Sequence, residues 1–126
     1  MRLTEEQVRS FRDEGYLVTE GVVSDADFAP LVAAYEDWID ARARRLHAEG
    51  KITDLAENEP FDKRFAALFA QSAEIADGMD IMHARLPEMF AFLRNANLLD
   101  AVETLVGPEI TCNPIQHLRA KPPATS

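Results

Sequence analysis

Residues 113–126 read NPIQHLRAKPPATS, a run set between prolines directly after a long helical region. Ile115 to Lys121 alternate in the manner of a β-strand, and Asn113-Pro114 supplies a turn or bulge before them. Glu109 to Cys112 carries the same two-residue period. Upstream of Gly107-Pro108 the period is that of a helix. The chain therefore reads as two strands that open a sheet, with Tyr16 to Thr19 as the one earlier β-prone run able to pair with them. Two or three short strands make a marginal sheet, so the expectation is a sheet domain begun and not finished within 126 residues.

Working outward from that run, the rest of the pattern is helical. Thr4 followed by Gln7 forms a capping box, and Gly15 is placed to stop the first helix. Ser24 caps a second, with Asp25 and Asp27 where the helix dipole favours negative charge. Phe28, Leu31, Val32, Tyr35, Trp38, Ile39 and Leu46 recur at three- and four-residue steps, which predicts a helix to about Glu49 ending at Gly50. Pro60-Phe61 opens a third, with Phe65, Leu68, Phe69 and Ile75 on one side until Gly78. Met79 to Leu93 reads as two helical pieces parted near Pro87. Leu98, Leu99, Val102, Leu105 and Val106 mark a last amphipathic helix. The predicted class is mainly α with a few strands (α+β): one partial domain over residues 1–126, with a helical buttress over 1–107, a short strand near 16–19, and first barrel strands over 108–126.

Composition bounds the function. With 47% hydrophobic and 28% charged residues the chain suits one globular domain, and no apolar run approaches the ~20 residues of a membrane span. No basic cluster with an apolar run follows Met1, so a cytoplasmic location is expected. Thirteen Lys and Arg against 22 Asp and Glu give a formal charge of −9, which repels a phosphate backbone. The one basic cluster, Arg42, Arg44 and Arg45, lies among Glu36, Asp37, Asp40 and Glu49 and reads as a solvated, salt-bridged helix face. Neither nucleic acid nor a membrane is expected as a partner. Cys112 is the single cysteine, which excludes an internal disulfide, and its apolar neighbours predict a buried small hydrophobe.

Three histidines are candidates for metal or acid-base chemistry. His47-Ala48-Glu49 has a His-X-acid spacing, but on a helix residues two apart point about 200° apart and cannot chelate together. Asp80 and His83 are three apart and can share a helical face, yet a di-metal bundle needs a second such motif and two more carboxylates. His117 shares a predicted strand face with Ile115, Arg119 and Lys121. That face carries three potential cations, suited to solvent or to an anionic ligand. No Gly-rich phosphate loop, nucleophile elbow or paired Cys motif occurs.

Taken together, "LTEEQVRSFRDEGYLVTEGVVSDADFAPL", the helical middle, and "LLDAVETLVGPEI" followed by "HLRAKPP" resemble the N-terminal part of the phytanoyl-CoA dioxygenase family, over essentially the whole chain. The resemblance implies a double-stranded β-helix (jelly-roll) oxygenase that uses iron(II) and 2-oxoglutarate to hydroxylate a small-molecule substrate. Its iron is held by a His-X-Asp pair and a distal histidine, and the His-X-Asp follows the Lys-Pro-Pro segment in such relatives. No histidine here occupies a triad position, so no metal ligand and no catalytic residue is assigned. By position, Lys121 matches the family lysine near the 2-oxoglutarate site, where a cation pairs with a carboxylate. His117 and Arg119 are weaker cosubstrate candidates, since a bulge would reverse them.

The expectation is a segment of such a dioxygenase, with the 126 residues alone inactive and binding no cofactor because the His-X-Asp…His triad is absent. The alternative is a stand-alone, non-catalytic helical interaction module that uses Trp38, Phe61, Phe65 and Phe69 as anchors. Exposed strand edges at Ile110 to Cys112 and Ile115 to Ala120 would promote self-association.

Overall fold

The structure is a computed structural model and describes residues 1–122. Its elements in order are α1 (Glu5–Glu14), α2 (Asp25–Ala48), α3 (Phe61–Gln71), a 3-10 turn (Ala73–Ala76), α4 (Ile81–Ala84), α5 (Pro87–Leu93) and α6 (Ala96–Val106). They form two compact units. One comprises Met1–Pro30 with Pro87–Pro114, and the other Leu31–Leu86 with the chain from Ile115.

The first unit is organised by its helix caps. Thr4 Oγ1 accepts from the Gln7 amide at 3.2 Å while Gln7 Oε1 accepts from the Thr4 amide at 2.9 Å, so two end donors of α1 are satisfied reciprocally. Gly15 closes α1 at φ +82°, and its N–H donates to the Phe11 carbonyl. That left-handed turn is one glycine adopts without strain. Beyond it, Leu17 and Thr19 turn inward while Tyr16 and Val18 stay out, 65% and 84% exposed. Gln7 reaches Thr19 Oγ1 at 3.0 Å and ties this run to α1.

Ser24 and Asp27 repeat the capping device at the start of α2. The Ser24 amide and hydroxyl each donate to Asp27 Oδ2 at 2.7 Å, and the Asp27 amide donates to Ser24 Oγ at 3.3 Å. Asn95 caps α6 through the Leu98 amide at 3.1 Å, and its own amide donates to Asp27 Oδ1 at 2.7 Å. Two helix starts are thereby joined through one carboxylate. Phe28 stacks on Phe92 with centroids 4.8 Å apart, and α1 lies against α6. Buried apolar residues here are Leu3, Met89 and Ala101.

In the second unit the core is deeper. Tyr35, Ile39, Ala43 and Leu46 form the buried stripe of α2 at helical spacing. Ile52, Ala56, Phe65, Leu68, Ile75 and Met79 are buried with them, and Leu46, Leu68 and Ile75 are fully enclosed. Polar side chains seal the edges. Arg64, 15% exposed, donates to Asp40 Oδ1 at 2.6 Å and to the Leu55 carbonyl at 3.2 Å. Arg44 takes the other Asp40 oxygen at 2.8 Å and also meets Glu57. Gln71 Oε1 accepts from the Thr53 and Asp54 amides at 3.0 Å each, and its amide returns to the Asp54 carbonyl at 2.8 Å.

Two expectations fail here. The described residues contain helices and no strand, so the chain is not α+β, and residues 16–19, 109–112 and 115–121 form no sheet and no jelly-roll strands. Among the described residues Tyr16 to Thr19 take part in no backbone hydrogen bond. Alternation and β-branched content give a run one inward and one outward side, but a ladder needs a second backbone in register, and local composition does not supply it. Cys112 is the second correction: it is exposed rather than buried, with Sγ 3.6 Å from the Asn113 carbonyl. It follows the last helix in an exposed run, so its apolar neighbours enclose nothing.

Candidate functional site

Residues 115–122 belong to the second unit and are irregular in backbone, and exposure alternates there only from Ile115 to Arg119, since Ala120 is exposed too. Ile115, His117, Arg119 and Lys121 are exposed, while Gln116 and Leu118 are half-buried. Of the three residues on the predicted cationic face, the structure engages His117. Its Nδ1 lies 2.7 Å from Asp80 Oδ2. Arg119 and Lys121 are exposed and make no ion pair among the described residues.

Asp80 is placed by local chemistry. It follows Gly78 and Met79 and caps the short α4, with Oδ1 accepting from the Met82 amide at 3.1 Å. A short acidic side chain before an apolar turn is the preferred residue for that position. The His117 contact, then the Met82 amide, hold the Asp80 carboxyl below the usual carboxylate range, with a smaller contribution from the charge of His83. Nearby in the electrostatic sense is Tyr35 of α2. Burial pushes its phenol up, and the charge on Asp80 adds to this. The Tyr35 hydroxyl is enclosed, with no hydrogen-bond partner among the described residues.

A carboxylate at Nδ1 favours the imidazole tautomer that leaves a lone pair on Nε2, the arrangement of a general base or of a ligating histidine. With 55% of its side chain exposed, His117 presents that nitrogen to solvent. The pairing of Asp80 with His117 was not legible in the sequence, which instead offered Asp80 with His83. The cap signature of Asp80 was there to be read. Its partner 37 residues away was not.

The residues present do not fit an iron(II) centre. Among the described residues no group of three or more His, Cys, Asp or Glu side chains converges to hold a metal ion. Asp80 and His117 are two donors already directed at one another, and His47 is exposed near the end of α2 beside Glu49, which pairs with Arg45 and Lys51. No reaction step through a metal is derived from these residues.

The arginine cluster is absorbed by structure. Arg42 donates to the Glu74 carbonyl at 2.9 Å and lies 5.6 Å from the Trp38 ring centre, Arg44 pairs with Asp40, and Arg45 with Glu49. No helix is long and apolar enough to cross a membrane. Of the open spaces, an acidic cleft of about 260 Å³ in the second unit is lined by Glu36, Asp37, Glu57 and Glu59, with Asp40 and Arg64 bonded at its base. The first unit has an apolar cleft of about 380 Å³ bordered by Phe11, Leu17, Val23, Phe28, Val102 and Leu105. Comparison of the chain with protein-family models, curated proteins and solved structures finds no match.

Proposed function

We propose that residues 1–126 form a helical part of an iron(II)- and 2-oxoglutarate-dependent dioxygenase similar to phytanoyl-CoA dioxygenase, acting on a small molecule, with the metal-holding residues supplied from outside these 126. The observation that carries the reading is the opening stretch. A capped helix ending at Gly15, a short inward-outward run from Tyr16 and a second helix capped by Ser24 follow in the order the resemblance implies. Lys121, exposed beside Arg119 and His117, is on this reading the contact for a 2-oxoglutarate carboxylate. A non-catalytic helical interaction module is the second reading, favoured by the apolar cleft of the first unit.

The deciding experiment extends the reading frame beyond codon 126 and compares the longer product with the 126-residue chain. With iron(II) and 2-oxoglutarate supplied, the longer protein is expected to release succinate and the shorter one none. An in-frame stop at codon 127, or a longer protein with no His-X-Asp and no succinate release, refutes the oxygenase reading.

A further inference from the structure

The apolar cleft of the first unit combines three properties that specify an occupant. The first is its lining. Thr19 is the one polar side chain there, and its oxygen accepts from Gln7 Nε2 at 3.0 Å. Small-molecule sites orient their ligands with a few unengaged polar groups, and the side chains of this cleft offer only the Thr19 O–H. What it matches is a row of apolar side chains presented by another element.

The second property is charge. The unit holds Arg2, Arg9, Arg12 and Arg94 against eleven Asp and Glu, so it carries −7 of the chain's formal −9. Glu5 pairs with Arg9, Asp100 with the Met1 amino group and Glu103 with Arg2. Glu6, Asp13, Glu14, Glu20 and Glu88 make no ion pair among the described residues. Asp100 and Glu103 neighbour the lining residues Ala101 and Val102 on α6 and are paired with the Met1 amino group and Arg2, and most of the unit's other carboxylates are left without a cation among the described residues. Such a field attracts cations and repels a second copy of the same unit, an anionic membrane or a nucleic acid.

The third is shallow burial. Leu3, Met89 and Ala101 are the buried apolar residues of the unit, while Phe28, Phe90 and Val106 are 38%, 52% and 61% exposed. Apolar surface left in water is a source of binding free energy for whatever covers it.

We infer that this cleft docks a basic amphipathic helix of a partner protein, leucine-like anchors entering the cleft beside α6 and lysine or arginine meeting the unit's excess of unpaired carboxylates. The inference stands apart from the oxygenase reading and gives the interaction reading a ligand class. Its test titrates the 126-residue chain by calorimetry with a synthetic helix bearing leucines at i, i+3, i+4 and i+7 and lysines elsewhere, and with its glutamate counterpart. The lysine peptide is expected to bind one-to-one and to weaken as salt rises. Leu105→Asp should weaken it by about tenfold or more through the cleft. Since that change can also disturb α6, the exposed pair Glu6→Lys with Glu20→Lys provides an independent arm, with about tenfold weakening expected through charge alone. Circular dichroism reports whether each variant keeps its helices. No binding, equal binding of the glutamate peptide, or undiminished binding in the Glu6/Glu20 variant overturns the inference. So does a dimer that Leu105→Asp dissolves, since the cleft would then serve a second copy.

Discussion

Among the described residues ten apolar side chains are buried in the second unit and three in the first, although each unit is built from helices. The second unit carries a formal charge of −2 and the first −7. In the second, Arg42, Arg44, Lys51 and Arg64 are bonded to carboxylates or carbonyls over the core. In the first, most carboxylates have no cation and the apolar side chains border an open cleft. The difference separates two sources of order. The second unit is held by enclosed surface, whereas the first depends on local hydrogen bonds at helix ends and leaves its apolar face for something else to cover.

The comparison breaks most directly on equal substitutions in the two units. Leu68→Ala, at a fully enclosed site, is expected to cost about 2–5 kcal/mol in urea unfolding. Leu105→Ala, at a half-buried position on the cleft, should cost less than about 2 kcal/mol. Equal losses would show that the first unit is as well packed as the second.

Acid sharpens the contrast from the other side. The Ser24 amide, then the Ser24 hydroxyl and the Asn95 amide, lower the Asp27 carboxyl from 3.8 to about 2. A carboxyl depressed in the folded state lends stability that is present above its unfolded pKa and lost as pH falls through the folded one. Helix content assigned to the first unit should therefore decline between the ordinary value of 3.8 and about 2. Asp27→Asn should remove that part of the acid transition, and an unchanged titration curve would remove Asp27 as its cause.

The smallest effect has the opposite sign. Tyr35→Phe deletes an enclosed hydroxyl that has no partner among the described residues, so stability should hold or rise by up to about 1 kcal/mol. A clear loss would mean that the hydroxyl is bonded in solution, and the second unit would then rest on more than packing.

What was legible in the sequence follows the range of the forces. Thr4 with Gln7, Gly15, Ser24 with Asp27, and the apolar stripe of Tyr35, Ile39 and Leu46 are decided within a few residues, and they predicted where helices begin, end and bury a face. The strands at 16–19, 109–112 and 115–121 were misread because pairing depends on a distant backbone that local pattern cannot report. At 115–121 the exposed and half-buried side chains alternate from Ile115 to Arg119, and Ala120 breaks the pattern by being exposed as well. Cys112 was misjudged for a related reason, since neighbours in sequence are not neighbours in a core. Of the candidate site, His117, Arg119 and Lys121 are exposed without the strand face expected for them, and the Asp80 contact and the enclosed Tyr35 hydroxyl arise from tertiary placement.

Asp80 uses its two oxygens for two tasks, one starting α4 at the Met82 amide and the other holding His117. A single ionisation therefore governs both a helix end and the anchorage of a segment 37 residues away in the chain. Neutralising that carboxyl weakens both contacts at once, so a proton equilibrium at a helix cap bears on the segment that carries Arg119 and Lys121.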